Sequence, residues 1–143
     1  MKILPSLPSL PLPLPLFGHR VRAGFPSPAE SFIEKRLDLN EHLIAHPSAT
    51  YFCYAEGDSM RGYGIDSGDL LIVDRALEEI NGDVIIAAVE GELTCKCLDK
   101  KHGRLVSGNP DYPPIPIDMI DSAICEGVVI ASIRYHRKPW LGG

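Results

Sequence analysis

The sequence predicts a mainly β fold, and three observations carry that expectation. Short apolar runs of four to eight residues recur from Thr50 onward. Gly, Asp and Pro turn pairs separate them. One pair of runs, Val84–Val89 and Leu93–Leu98, brackets Glu90-Gly91, a favourable hairpin turn. Short strands joined by such turns argue for antiparallel pairing, so the expected class is mainly β, with curled antiparallel sheets, short N-terminal helices and an extended arm.

The chain has 143 residues, the size of one domain with a short appendage, and 45% of them are apolar, enough for a core. Residues 1–26 read as the arm. Leu and Pro alternate from Leu4 to Leu16, with prolines at positions 5, 8, 11, 13 and 15. Each proline removes a backbone donor, so the run is no membrane helix, and polyproline II or disorder is expected. It also lacks the uninterrupted apolar core and cleavage site of a signal peptide. Residues 27–143 read as the domain. Ser27-Pro28-Ala29-Glu30 has the capping-box pattern and predicts a helix to about Arg36. Asp38-Leu39-Asn40-Glu41 starts a second short helix through Ile44, which His46-Pro47 ends. Strands are expected at Tyr51–Ala55, Leu70–Val73, Val84–Val89, Leu93–Leu98 and Arg104–Val106. Asn109-Pro110-Asp111-Tyr112-Pro113-Pro114 reads as a loop, and a closing strand runs from Ala123 to Tyr135 with a break near Gly127.

The formal charge of −5 and the scattered Lys and Arg offer no basic face, so direct nucleic-acid binding is not expected. The four cysteines, Cys53, Cys95, Cys97 and Cys125, lie in strands without the spacing of a disulfide framework. They read as reduced thiols of a cytoplasmic protein. Cys95-x-Cys97 has no second chelating pair near it in the sequence, so neither a metal nor another cofactor is expected.

Two residues have the chemistry of a nucleophile and its base. Ser59 follows Gly57-Asp58, turn formers that leave its hydroxyl at a strand-to-loop corner. Alone, Gly-Asp-Ser is also an ordinary turn. A serine hydroxyl is a weak nucleophile until a base lies within hydrogen-bond reach. Lys96 sits inside an apolar strand between Cys95 and Cys97, and neighbours on a strand face opposite sides. If the cysteines pack into the core, Lys96 faces either solvent or a partly dry cleft. In a cleft, desolvation lowers its pKa and equips it as a general base. The five histidines lie in the arm, the tail, loops or helix ends and offer no better base. Backbone N–H groups of Asp58, Ser59 and Met60 are the natural donors for an oxyanion hole.

These residues and their surroundings resemble UmuD-like proteins within the LexA-like family of self-cleaving serine–lysine peptidases. The resemblance rests on Ala23-Gly24-Phe25-Pro26-Ser27-Pro28-Ala29, His46-Pro47-Ser48-Ala49-Thr50-Tyr51-Phe52 and Gly57-Asp58-Ser59-Met60. It continues in Gly68-Asp69-Leu70-Leu71-Ile72-Val73-Asp74 and Gly82-Asp83-Val84-Ile85-Ile86-Ala87-Ala88-Val89, covering most of the chain from Gly24 to Val129. It implies Ser59 as nucleophile, Lys96 as general base and Ala23-Gly24 as the scissile bond. It also implies a homodimer, stimulation by the RecA filament on single-stranded DNA, and a processed form that joins a Y-family translesion polymerase subunit. The segment before Ala23 has no room for the DNA-binding helix-turn-helix of the repressors. Two other readings stand beside this one: a binding module with an inert dyad, and a signal-peptidase-like enzyme, which would need a membrane anchor that the broken apolar arm does not supply.

Overall fold

The computed structural model describes residues 10–18, 20, 21, 23, 24, 33–117 and 124–137. The chain divides into two compact units, 1–48 and 49–143.

In the first unit, β1 (Leu14–Phe17) pairs antiparallel with β2 (Ile33–Leu37), Leu14 opposite Leu37 and Pro15 opposite Arg36. This corrects two expectations. Leu14–Leu16, read as part of a polyproline arm, is a strand. Residues 33–36, read as the end of a helix, are also a strand, and the proposed start at Ser27-Pro28-Ala29-Glu30 lies outside the described residues. Proline is tolerated in β1 because a two-stranded sheet consists only of edges. Glu34-Lys35-Arg36 has helical propensity, but cross-strand pairing overrides so short a preference. Helix α1 (Leu39–Leu43) begins where the sequence signals it. The Asp38 side chain accepts from Asn40 N at 3.0 Å and Glu41 N at 3.5 Å, and its second oxygen accepts from Leu12 N at 2.9 Å. The Leu12 N–H is the largest of the influences that hold the Asp38 carboxyl below its ordinary value.

The second unit contains β3 (Thr50–Tyr54), β4 (Leu70–Asp74), β5 (Val84–Val89), β6 (Glu92–Asp99), β7 (Arg104–Val106), β8 (Ile115–Pro116) and β9 (Ile124–Ile133). They form one seven-stranded sheet in the order β3-β4-β9-β5-β6-β7-β8, with every described pairing antiparallel. The fold class is thus mainly β, as the sequence predicts. The β5–β6 hairpin turns at Glu90 (φ 51°) and Gly91 (φ 82°), the two successive left-handed residues of a type I′ turn. The interruption expected near Gly127 is a bulge in β9: Ile86 pairs with Gly127 but Ala87 with Cys125. Strand β8 was not foreseen; two residues ending in proline carry no period.

Two apolar clusters fill the unit. One gathers Met60, Ile65, Leu71, Val73, Ile86 and Cys97, with Cys53 and Cys95 packed against it. The other holds Ile85, Ala87, Leu98, Leu105 and Val128. The first draws on β3 through β6 and on the loop after β3, so the sheet curls around the segment that carries Ser59.

Candidate active site

Ser59 lies on the corner between β3 and a turn of 3-10 helix, Arg61–Tyr63, and is partly buried. Gly57 enters the corner with φ 88°, and its amide donates to Ser67 Oγ at 3.2 Å. Met60, only 3% exposed, anchors the corner in the core, and its carbonyl accepts from Tyr63 N at 2.9 Å. The Ser59 carbonyl accepts from Gly108 N at 2.6 Å. Among the described residues, the Ser59 hydroxyl and the amides of Asp58, Ser59 and Met60 have no hydrogen-bonded protein partner. Met60 is buried, Ser59 partly buried and Asp58 exposed, and a buried donor is nearly always paired, so the Met60 amide in particular is left for an incoming oxygen.

Lys96 lies in β6 opposite Ile85 and is 8% exposed. Cys97 belongs to the first apolar cluster and Cys95 packs against it, so the pleat turns Lys96 to the other face. Lys96 Nζ donates to Thr94 Oγ1 at 2.8 Å and to the Cys95 carbonyl at 3.1 Å. Among the described residues no carboxylate pairs with it. Burial lowers its pKa below the ordinary lysine value, against a smaller opposing influence from Cys95. The Cys95 thiol is pushed up to about 11, mainly by burial, so it stays protonated and apolar at neutral pH.

Backbone contacts link the two residues through the segment that follows β7. Strand β7 pairs with β6 only at Cys97, Leu98 and Asp99. Because the strands are antiparallel, the chain leaving Val106, opposite Cys97, runs back toward Lys96. Two residues on, Gly108 holds the Ser59 carbonyl. No hydrogen bond joins Ser59 Oγ to Lys96 Nζ among the described residues. Ala23 and Gly24, the expected scissile pair, are exposed in the connection between β1 and β2. A Cβ added at Gly24 would meet no atom within 4 Å. Sequence reasoning overlooked Thr94 and Gly108. Thr94 had a signal, since residues two apart on a strand share a face; Gly108 had none, because its contact with Ser59 is non-local.

Fold and site together define a class: an antiparallel β domain that offers a serine on a tight corner and a buried lysine on a strand of the same sheet, with no carboxylate paired to it among the described residues. The chain belongs to the Peptidase S24-like family, whose match runs over residues 15–130. Protein ImpA of Escherichia coli is 51% identical over 124 residues, covering 87% of this chain and 86% of that protein. Protein SamA of Salmonella typhimurium is 44% identical over 125 residues, with 87% of each covered. The LexA repressor of Shewanella woodyi is 38% identical over 124 residues, covering 85% of this chain but 60% of the repressor. The UmuD-like character read from the motifs therefore holds across most of the chain, and the family is one of serine peptidases that cleave themselves.

Proposed function

We propose that this chain is an SOS mutagenesis protein that cuts itself once, between Ala23 and Gly24, with Ser59 as nucleophile and Lys96 as general base. The observation that carries the reading is Lys96: a buried lysine with a lowered pKa and no carboxylate partner among the described residues. Structural lysines are seldom buried without a counter-charge. Neutral Nζ takes the proton as Ser59 Oγ attacks the Ala23 carbonyl carbon. The resulting oxyanion is met by the amides of the Asp58-Ser59-Met60 corner, which have no partner among the described residues. Collapse breaks the bond to Gly24, whose amine receives the proton from Nζ, and leaves Ala23 esterified to Ser59. Water then hydrolyses the ester. The missing bond between Ser59 and Lys96 is compatible with this course, because catalytic hydrogen bonds often tighten only in the reacting complex.

The cut releases residues 1–23 from the domain. The processed form acts as a homodimeric accessory subunit of a Y-family translesion polymerase in the cytoplasm, and the RecA filament stimulates its formation. No helix among the described residues is long and apolar enough to cross a membrane. The test is N-terminal sequencing of the purified chain after incubation at alkaline pH or with activated RecA filaments. A fragment beginning at Gly24, absent from Ser59→Ala and Lys96→Ala, is the expected result. A second reading, a binding module with an inert dyad, draws on the engagement of Lys96 Nζ with Thr94 and Cys95 instead of Ser59. It requires that no such fragment form in DNA-damaged cells.

A further inference from the structure

The segment Ser107–Tyr112, which runs into the loop read from the sequence at Asn109-Pro110-Asp111-Tyr112-Pro113-Pro114, is internally braced. Ser107 Oγ bonds the Asn109 carbonyl at 2.7 Å and accepts from Asn109 N at 3.3 Å. Tyr112 N donates to the Asn109 carbonyl at 3.0 Å, and Asp111 N to Asn109 Oδ1 at 2.9 Å. That last bond fixes which way the Asn109 amide points, since only the oxygen can accept. Its Nδ2 is thereby aimed at the Asp58 carbonyl, 3.4 Å away. Asn109 is 2% exposed, so its buried amide depends on these hydrogen bonds.

This braced loop grips the Ser59 corner on both sides of the serine. Before it, Asn109 Nδ2 reaches the Asp58 carbonyl and Tyr112 OH donates to Asp58 Oδ1 at 3.0 Å. At it, Gly108 N donates to the Ser59 carbonyl at 2.6 Å, and after it Gly62 N donates to the Gly108 carbonyl at 2.9 Å. The two backbones lie so close that a Cβ at Gly108 would come within 2.7 Å of the Tyr63 ring and 2.9 Å of Gly62 N.

We propose that Asn109 and Tyr112 are positioning residues for the cleavage reaction: through Asp58 they set the backbone of the Ser59 corner. The inference rests on the assignment of Ser59 as nucleophile. Neither side chain bonds Ser59 Oγ or Lys96 Nζ. They act on the direction of the serine hydroxyl and of the corner amides, while the basicity of Lys96 is left alone. A small misplacement of reacting groups costs as much as about 100-fold in rate.

The test measures self-cleavage of the full chain against pH for Asn109→Ala and Tyr112→Phe. Melting temperature and labelling of Ser59 by a serine-directed fluorophosphonate are measured alongside. Tyr112 is 44% exposed, so Tyr112→Phe keeps the fold and decides the matter if Asn109→Ala fails to fold. The expected result is a lower plateau rate, about fivefold for Tyr112→Phe and up to about 100-fold for Asn109→Ala. Labelling slows in parallel, and the pH midpoint stays where it is. A wild-type plateau and labelling rate in Tyr112→Phe overturns the proposal, as does a shifted midpoint with an unchanged plateau. Cleavage that survives in Ser59→Ala overturns the nucleophile assignment instead, so the two failures are separable.

Discussion

Lys96 donates to the Thr94 hydroxyl at 2.8 Å, from a position two residues further along the same strand and on the same face. That bond gives the buried ammonium one of its two acceptors, so it favours the charged form and opposes the effect of burial. Thr94→Val removes it with almost no change in shape. The Lys96 pKa then falls further, and the rising limb of the cleavage–pH profile moves to lower pH. The wild-type limb is itself expected below the ordinary lysine value, because burial lowers the Lys96 pKa. A limb that stays fixed in Thr94→Val would remove Thr94 from control of the base.

Lys96 also makes a prediction about stability. Its folded pKa lies below the unfolded value of about 10.4, so between the two the unfolded chain binds more protons. Stability from this group therefore rises with pH across that window. Below it, the folded state carries a buried charge. Lys96→Met removes the charge and keeps the bulk. It should stabilise the chain near neutral pH by on the order of 1 kcal/mol, kept small because Nζ retains two acceptors. The gain shrinks as pH climbs through the folded pKa, and urea denaturation at several pH values reads it directly. A Lys96→Met chain that is less stable than wild type at neutral pH would mean that Lys96 holds the fold together.

The strands of the main sheet and the burial of Lys96 were legible in the sequence for a simple reason. Strands such as Val84–Val89 and Arg104–Val106 are runs whose composition and flanking turns are local properties. Lys96 betrayed itself as the one charge between Cys95 and Cys97. What escaped was non-local. Residues 14–17 became a strand only because 33–37 lie opposite them, and no single segment records its partner. The contact between Asn109 and Asp58 spans 51 positions, and the loop that makes it looks like any other Asn-Pro turn.

Arg134 and Asp69 supply a pH prediction of the same sign in the acid range. Arg134 Nη2 lies 3.0 Å from Asp69 Oδ2 and 2.9 Å from the Gly64 carbonyl, tying the end of β9 to the turn beyond the Ser59 corner. The hydrogen bond from Arg134 is the largest influence holding the Asp69 carboxyl below its ordinary value. Stability from such a group is present above the unfolded value of about 3.9 and is lost as pH falls through the folded one. Arg134→Ala should therefore lower the melting temperature at pH 7, with a deficit that fades as Asp69 becomes protonated in both states. An equal deficit at pH 7 and well below 3.9 would trace the effect to packing.

Gly62 tests the close approach of two backbones. A Cβ there would run into the Gly108 carbonyl oxygen, which also accepts the Gly62 N–H. Neither atom belongs to a flexible side chain, so the backbone itself must move. Gly62→Ala is expected to cost about 1–3 kcal/mol in urea denaturation. Gly64→Ala separates this from backbone conformation: Gly64 has φ 78° but no atom within 4 Å of its added Cβ. It pays for the left-handed φ alone, so the smaller loss belongs to Gly64→Ala. Equal losses would mean that the Gly62–Gly108 contact yields without strain.

Gly24 allows the proposed scissile bond to be tested without disturbing the fold. The residue is exposed, its φ is not in the left-handed region, and an added Cβ touches nothing. Gly24→Ala should therefore leave the melting temperature unchanged. Cleavage is a different matter, because the bond must enter a corner where Ser59 is already partly buried. A methyl group on the leaving side has to fit there, and one such group in a closed site is worth about tenfold or more in rate. Slower release of the fragment from an equally stable chain would assign the glycine to the reaction. Release at the wild-type rate would mean that the bond is selected by something other than the small size of its leaving residue, and N-terminal sequencing of the product would then have to establish which bond is cut.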